Sequence, residues 1–386
     1  MRAVSLFTGA GGMDLGFERA GFETVLQCDL FDASHLTDDE VGGDKPDEKR
    51  RELTRYGQDV LGVLERHWPA TERVNDVRNV SADRVLRGAD HQPDEPQQPA
   101  AGRSVADALE ARAPHVDLLH FGSPCQDLSV AGRRDGFVEG GRSHLFFEGV
   151  RVARECRAGV VVWENVVGAL SSNGGRDFAA VLASLADAGA VDIAWRVLDA
   201  RWFGVPQRRR RVFVVADFGA ERASAVLLEP EGGAGSAAPR GASREEVACA
   251  SAAGALGTSH GVDNLAHAVS ASAGHHGHSS PRGDGADNLV APTLGAANLT
   301  QKYYGHNDET VDAGLYDVTP AGVRRLTPRE CERLMGWPDD HTRWTADGRE
   351  VSDSHRYRMC GNGVVAPVAE WLGRRLMAVV ESEAAG

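Results

Sequence analysis

The stretch Val4-Ser5-Leu6-Phe7-Thr8-Gly9-Ala10-Gly11-Gly12-Met13-Asp14 reads as a strand, a glycine turn and the start of a helix that continues to Ala20. A second strand, Thr24 to Cys28, follows it. Glycines between a strand and a helix let backbone amides approach a ligand closely. The dinucleotide fingerprint needs a third glycine where Asp14 stands, so a ligand without a pyrophosphate is expected on this turn. Asp29 closes the second strand, where an acid can take ribose hydroxyls. An ordinary tight turn would look the same, and the motif alone does not decide the function.

Outward from the turn, further strands are expected at Val116 to Phe121, Val160 to Trp163, Ile193 to Leu198 and Val212 to Ala216. Helical segments such as Leu145 to Cys156 and Phe178 to Ala188 separate several of them. Strands alternating with helices imply an α/β fold with a doubly wound, mostly parallel sheet. From Glu229 to about Gly314 the composition turns to Gly, Ala, Ser and His, which marks a second, loop-rich region. Order returns with Thr327-Pro328-Arg329-Glu330, a capping box with Pro at the first helical position, opening a helix to Met335. In a last helix, Pro367 to Val380, the residues Val368, Leu372, Leu376 and Val379 share one face, which should dock on the sheet. The expected division is a catalytic and cofactor-binding domain over 1–216, completed by 346–386, and a smaller domain over 217–345. The segment from Leu36 to about Ala70 has no assigned role, nor has the longer acidic stretch 36–110 around it.

At 386 residues the chain suits two domains, and 42% hydrophobic residues allow a sizeable core. Its six cysteines form no Cys-x-x-Cys pair, so neither a zinc site nor a disulfide framework is expected, and a reducing cytoplasm is. His275, His276 and His278 lie in a Gly/Ser stretch that reads as a loop rather than a metal site. No apolar run, Val160 to Trp163 included, is long enough to span a bilayer, so a soluble protein with no membrane partner is expected. Taken as a total, the net charge of −14 speaks against a nucleic-acid partner. Base is nevertheless concentrated at Arg133-Arg134, Arg208 to Arg211 and Arg324 to Arg333, and at physiological salt attraction acts over ~8 Å, so local patches outweigh the total.

Three segments carry groups able to do chemistry. Gly122-Ser123-Pro124-Cys125-Gln126 puts a cysteine just past the end of an apolar strand, where ligands bind in such sheets. A free thiol has a pKa of ~8.5, so a reactive one needs nearby cations, and Arg133 and Arg134 follow. A buried core cysteine is the competing reading. The glycine-rich stretch Gly132 to Gly141 has the look of a movable lid. Trp163-Glu164-Asn165-Val166 ends another strand with a carboxylate, which on its own reads as a charge that simply reaches water. Gln207-Arg208-Arg209-Arg210-Arg211 is either a solvated basic run or a strand that points Arg209 and Arg211 to one side.

In this order the segments resemble the DNA cytosine-C5 methyltransferase family, of bacterial or phage type, over nearly the whole chain. Phe7-x-Gly9-x-Gly11-Gly12 matches its cofactor loop and Asn75-Asp76-Val77 its adenine-binding acid. Pro124-Cys125-Gln126 matches the nucleophile motif, Glu164-Asn165-Val166 the catalytic acid and Gln207-x-Arg209-x-Arg211 the active-site arginines. Arg324-x-Leu326-Thr327, with Glu330, Arg333 and Gly336, matches the segment that organises the recognition domain, and Gly361-Asn362-Gly363-Val364 resembles the terminal cofactor motif. Two departures stand out: Asp29 replaces the usual Glu, and Gly122-Ser123 the usual Gly-Pro.

The resemblance implies methyl transfer from S-adenosylmethionine to C5 of a cytosine flipped out of a specific duplex DNA sequence, in restriction–modification or in phage or host DNA protection. It assigns Cys125, Glu164, Arg209 and Arg211 to catalysis. Phe7, Gly9, Ala10, Gly11, Gly12, Asp29, Leu30, Asp76, Val77, Pro124, Asn362 and Val364 would bind the cofactor. Gln126, Ser129, Arg133, Arg134, Gln207, Arg324 and Thr293 would face DNA. No metal is implied. The expected partners are double-stranded DNA and a cognate restriction endonuclease, and the expected state is a monomer. The rivals are a tRNA cytosine-C5 methyltransferase of the same fold and a non-catalytic DNA-binding homologue. Arg240, Arg244, Arg282, Asn298 and Lys302 are further candidates for base or phosphate contacts.

Overall fold

Strand residues of the central sheet send alternate side chains into two separate cores. Ala3, Leu118, Val160, Val162, Phe213 and Val215 enter one. Val4, Leu6, Leu119, Phe121, Val161, Trp163 and Val214 enter the other. A sheet that is apolar on both faces must be covered on both, and helices do so here. The computed structural model describes residues 1–89, 116–123, 145–228, 266–267, 289–290, 316–319 and 322–384, with the side chains of 86–89, of 266–325 and of 383–384 left out.

The seven strands are β1 (Arg2–Leu6), β2 (Glu23–Cys28), β3 (Glu72–Val74), β4 (Val116–Phe121), β5 (Ala158–Val166), β6 (Asp192–Asp199) and β8 (Arg210–Asp217), in the order β3-β2-β1-β4-β5-β8-β6. The first five run parallel, while β8 is antiparallel to both β5 and β6. Parallel strands need long crossovers. The short connection from β6 to β8, through β7 (Gln207–Arg208), instead returns the chain antiparallel. The doubly wound sheet expected from the sequence is therefore present, with its antiparallel pairs at one side. Because the chain builds outward in opposite directions from β1 and β4, a crevice opens beyond their carboxyl ends.

On the first face lie α1 (Gly12–Arg19), α3 (Pro46–His67) and α10 (Ala366–Ala384), through Phe17, Leu64, Val368 and Leu372. A short helix, α2 (Asp38–Val41), precedes α3, and α4 (Ala82–Ala89) follows it. The second face is covered by α5 (Leu145–Glu155) and α6 (Arg176–Asp187), through Phe146, Val150, Phe178 and Val181. After α7 (Ala223–Leu227) come the strands β9 (Ala266–His267), β10 (Leu289–Val290), β11 (Tyr316–Thr319) and β12 (Gly322–Arg325), the last three forming one small sheet. Then α8 (Pro328–Leu334) begins at the expected capping box, with Thr327 and Glu330 bonded reciprocally. Leu326, Cys331, Leu334, Met335 and Trp337 are buried in the same core as Phe17, as are Ala223, Val226 and Leu227. The last two helices, α9 (Asp353–Asn362) and α10, complete the chain.

The 22-residue α3 fills most of the segment to which no role was assigned. It is part of the core, and its glycines show how closely it lies. A Cβ at Gly57 would overlap the carbonyl oxygens of Leu30 and Phe31, and one at Gly62 the side chain of Thr345. Among the described residues no helix is long and apolar enough to cross a membrane, and no cluster of His, Cys, Asp or Glu could hold a metal ion.

Since backbone carbonyls cannot swing aside as side chains do, Gly57→Val should lose about 1–3 kcal/mol of stability by overpacking. Urea unfolding followed by far-UV circular dichroism measures this, and an unchanged midpoint would mean that α3 does not press on the Leu30 segment.

Candidate active site

The turn after β1 is strained by design. Phe7, Gly9 and Gly11 all have left-handed φ values, of 53°, 55° and 77°. For Phe7 this conformation costs about 1–3 kcal/mol, which its surroundings must offset. Phe7 packs on Phe121, with ring centroids 6.3 Å apart. The Thr8 amide donates to the Cys28 carbonyl at 3.0 Å. Beneath the turn, buried Asp14 accepts hydrogen bonds from Ser5 Oγ at 3.0 Å and Gln27 Nε2 at 3.0 Å. Burial pushes the Asp14 carboxyl up to about 6 against these bonds.

The three glycines serve different ends. A Cβ at Gly9 would meet nothing within 4 Å, so this residue opens on free space. A Cβ at Gly11 would overlap the Trp68 ring, and one at Gly12 the Val364 carbonyl. On the side its Cβ would take, Gly11 thus leaves room for Trp68. Ala10 is buried, and its carbonyl accepts from His341 Nε2 at 2.8 Å.

Asp29 turns back on the loop. Its Oδ2 accepts from the Gly9 amide at 2.6 Å, and its Oδ1 from the Leu30 amide at 2.7 Å. Burial raises its pKa despite these bonds. Asp76 follows β3 and is held by His35 Nε2 at 2.8 Å and Arg78 Nη2 at 2.6 Å. Although its burial opposes it, bonding to Arg78 and His35 draws the Asp76 pKa down to about 2. Val77, next in the chain, is buried in the second core. Asn362 is exposed at the end of α9, and the Tyr56 hydroxyl of α3 lies beside it. The Arg358 guanidinium covers the Tyr56 ring at 4.1 Å. The Val364 carbonyl accepts from Trp337 Nε1 at 3.1 Å.

Across the crevice, β4 ends in Gly122 and Ser123, which β5 grips. Trp163 Nε1 donates to Ser123 Oγ at 3.0 Å, and Asn165 Nδ2 to the Ser123 carbonyl at 3.0 Å. Between these two residues Glu164 is 8% exposed and pairs with Arg211 Nε at 3.1 Å. Antiparallel register sets this pair, since Glu164 lies opposite Phe213 and Val166 opposite Arg211. A Cβ at Gly122 would stand 3.1 Å from Glu164 Oε2, so only glycine leaves that oxygen unhindered. Burial raises the Glu164 pKa, while Arg211 and then Arg209 pull it down.

Arg209 lines the same small pocket as Glu164 and Arg211, with Leu198, Ala200, Phe213 and Val364. Its guanidinium is turned to the terminal motif, however, where Nη2 donates to the Gly361 carbonyl at 2.9 Å and the Gly363 carbonyl at 2.8 Å. Burial lowers its pKa to about 9. Arg209 therefore positions the wall of the pocket, a correction to its expected direct part beside Arg211. Gln207, expected to face DNA, is fully buried and donates through Nε2 to the Leu334 carbonyl at 2.8 Å. The carbonyls at the end of α8 need donors, and Gln207 supplies one.

Pro124, Cys125, Gln126, Ser129, Arg133, Arg134 and Thr293 lie outside the described residues, as do His275, His276, His278, Arg240, Arg244, Arg282, Asn298 and Lys302. Arg324 is placed in β12 without its side chain. Sequence reasoning missed Tyr56, Arg358, His35, Arg78 and His341. None sits in a recognisable string; only contact with a motif residue reveals them.

Once this geometry is in view, relatives supply the family. Residues 101–225 and 258–378 match the model of the C-5 cytosine-specific DNA methylase family. The chain belongs to that family. It is a DNA cytosine-C5 methyltransferase by this membership. The Type II methyltransferase M.Bsp6I of Bacillus sp. strain RFL6 is 25% identical over 385 residues, covering 95% of this chain and 96% of the relative. A DNA N-6-adenine-methyltransferase of Escherichia phage P1 is 25% identical over 453 residues, and the match takes in 82% of this chain but only 57% of that longer protein. In fold the methyltransferase is similar to a solved structure described as a DNA modification methyltransferase from an E. coli prophage, with a TM-score of 0.53, 16% identity and 99% of both chains covered.

Asp76→Asn should destabilise this methyltransferase at pH 7. The Asp76 pKa is lower in the folded chain than in the unfolded one, so its contribution is present above the unfolded value of 3.8 and is lost as pH falls toward about 2. The gap between wild type and variant in urea unfolding should therefore shrink between pH 7 and pH 3. A constant gap would show that Arg78 and His35 do not hold the ionised carboxylate.

Proposed function

We propose that this methyltransferase binds S-adenosylmethionine over the Phe7–Gly12 turn and methylates C5 of a cytosine flipped out of duplex DNA, with Cys125 as nucleophile. The observation that carries the reading is the buried Glu164–Arg211 pair beside Ser123. Cys125 follows Ser123 by two residues in the chain.

The turn fits the cofactor. Gly9 opens on free space, and Asp29 and Asp76 bring acids to its rim. Buried Asp14 beneath the loop would repel a pyrophosphate, whereas a sulfonium cation with ribose hydroxyls meets no such penalty. Asp29, Leu30, Asp76, Val77, Asn362 and Val364 would hold it, with Phe7 supplying an apolar wall. When bound, the cofactor supplies an electrophilic methyl group.

The chain's own residues would make the cytosine able to accept it. The Cys125 thiolate adds to C6, and the electron pair moves toward N3. Glu164, whose pKa burial raises, donates a hydrogen bond or proton at N3. Arg211 opposes the negative charge at O2. C5 is then an enamine carbon and takes the methyl group, after which a base removes the C5 proton and Cys125 leaves. None of these atoms can be reached in a stacked duplex, so the base must leave the helix.

We place DNA reading in 229–325, inside the expected 217–345, because Ala223–Leu227 and the chain from Leu326 share the catalytic core. Thr293 and Arg324 fall within it. The Type II name of the Bacillus relative suggests a modification role beside a cognate endonuclease, and a reducing cytoplasm suits the four buried free cysteines among the described residues.

Labelled methyl transfer to duplex DNA, with tRNA as the comparison, tests the reading. Cys125→Ala should abolish transfer and leave cofactor affinity within about threefold. Duplexes carrying 5-fluorocytosine should trap the wild-type enzyme covalently, because the proton cannot be eliminated. Substantial turnover by the alanine variant, or methylation of tRNA alone, would overturn it.

A further inference from the structure

We propose that Trp202, braced by Arg201, is a stacking platform for a nucleotide of the DNA substrate at the mouth of the Glu164–Arg211 pocket. The inference rests on the DNA substrate of the family.

Position comes first. Strands β5 and β6 are both antiparallel to β8, so their carboxyl ends lie on one edge of the sheet. Leu198 and Asp199 of β6 pair with Arg211 and Arg210. The next residues form a tight turn, Ala200–Phe203, whose first member lines the pocket with Glu164 and Arg211. Two residues on from the pocket wall stands Trp202.

The turn is held from several sides. The Ala200 amide donates to the Arg209 carbonyl at 3.0 Å. Asp199 accepts from the Arg201 amide at 3.3 Å and pairs with Arg201 Nε at 3.2 Å. On the other side Phe203 packs edge-on against Trp371 at 5.4 Å. Between these anchors Trp202 is 53% exposed, and the Arg201 guanidinium lies 4.7 Å from its ring.

A single exposed apolar side chain is ordinary. Here, though, the turn that carries the ring is held on both sides, the Arg201 guanidinium lies over the ring, and Arg208 and Arg210 are exposed a few residues away in the chain. A protein partner would favour an apolar surround, whereas this one is cationic. An aromatic face beside guanidinium groups matches the two surfaces of a nucleotide, its base and its phosphate. Trp195 makes the contrast: it is also exposed, but it leans edge-on against Phe178 at 5.7 Å, further back along β6. When the target base leaves the helix its neighbours lose a stacking partner, and a ring at the pocket mouth can replace it.

The test measures binding of a mixed-sequence DNA duplex by fluorescence anisotropy at two salt concentrations, using the full-length enzyme. Base stacking is worth about 1–3 kcal/mol by alanine substitution, so Trp202→Ala should weaken binding by about 5- to 150-fold. The salt dependence should stay as in wild type, because no phosphate contact is removed, and Trp202→Phe should recover affinity to within about threefold. Melting temperature and cofactor affinity should not move. Wild-type affinity in Trp202→Ala would overturn the proposal, as would a loss that Phe does not recover, or a change confined to the association state, which would mark a protein interface. A wild-type enzyme that neither binds nor methylates duplex DNA would overturn the proposed function itself, and this platform with it.

Discussion

A buried guanidinium that needs hydrogen-bond partners ties the Glu164–Arg211 pocket to the terminal motif and the turn after β1. An unpaired charge taken out of water costs several kcal/mol, so Arg209 can be buried only where acceptors are fixed around it. Those acceptors are the Gly361 and Gly363 carbonyls, about 150 residues away in sequence. Gly363 in turn lies against Trp337, whose Nε1 bonds the Val364 carbonyl, and Gly12 of the cofactor turn abuts the same ring and carbonyl. The chain of contact runs from the strand bearing Arg211, through the terminal motif, to the turn after β1. Gly12 and Gly363 are both required by contact, since an added Cβ at either would enter the Trp337 ring. The Arg209 bonds to the Gly361 and Gly363 carbonyls thus help to fix the spacing between the Glu164–Arg211 pocket and the turn after β1.

The same economy of space governs Glu164. Desolvation favours its neutral form, and Arg211 at 3.1 Å favours the ionised form, so its proton is held by two opposed effects. The balance depends on β5 and β8 being antiparallel. In that register Arg211 comes opposite Val166, near enough to reach Glu164 along the edge of the sheet. Gly122 on the other neighbour leaves one carboxylate oxygen uncrowded. A parallel strand in the place of β8 would present its carboxyl end here, and an arginine at its start would lie at the opposite edge.

Much of this was legible in the sequence because it follows from local chemistry. Val116 to Phe121 is a strand as expected, since a branched apolar run buried on both faces has few alternatives, and Thr327 with Glu330 caps a helix as their spacing demands. The glycine turn and Asp29 stood out for the same reason, whereas Glu164 was singled out by the family resemblance. What stayed hidden depends on partners far along the chain. Gln207 and Arg209 read as part of a basic, solvated or substrate-facing run, yet Leu334 and Gly361 bury them. The helix α3 went unseen because charged residues interrupt its apolar positions and Gly57 and Gly62 lower its propensity. Those glycines are there because Leu30, Phe31 and Thr345 press against the helix, which no local pattern records.

The charge of the chain shows why a total misleads. With a net charge of −14, a polyanion looks like an unwelcome partner. Yet many acids of the described core are already engaged: Asp76 with Arg78, Asp59 with His355, Asp217 with Arg222, and Glu332 with Arg356. Asp217 and Glu332 are wholly buried, so their fields reach solvent already neutralised by a neighbour. Arg208 and Arg210, by contrast, stand exposed beside the pocket. Over a screening length of about 8 Å a phosphate approaching that edge meets these arginines, and the rest of the surface is out of range. Internal pairing of the acids is therefore what allows an acidic protein to present a cationic edge where its substrate must come.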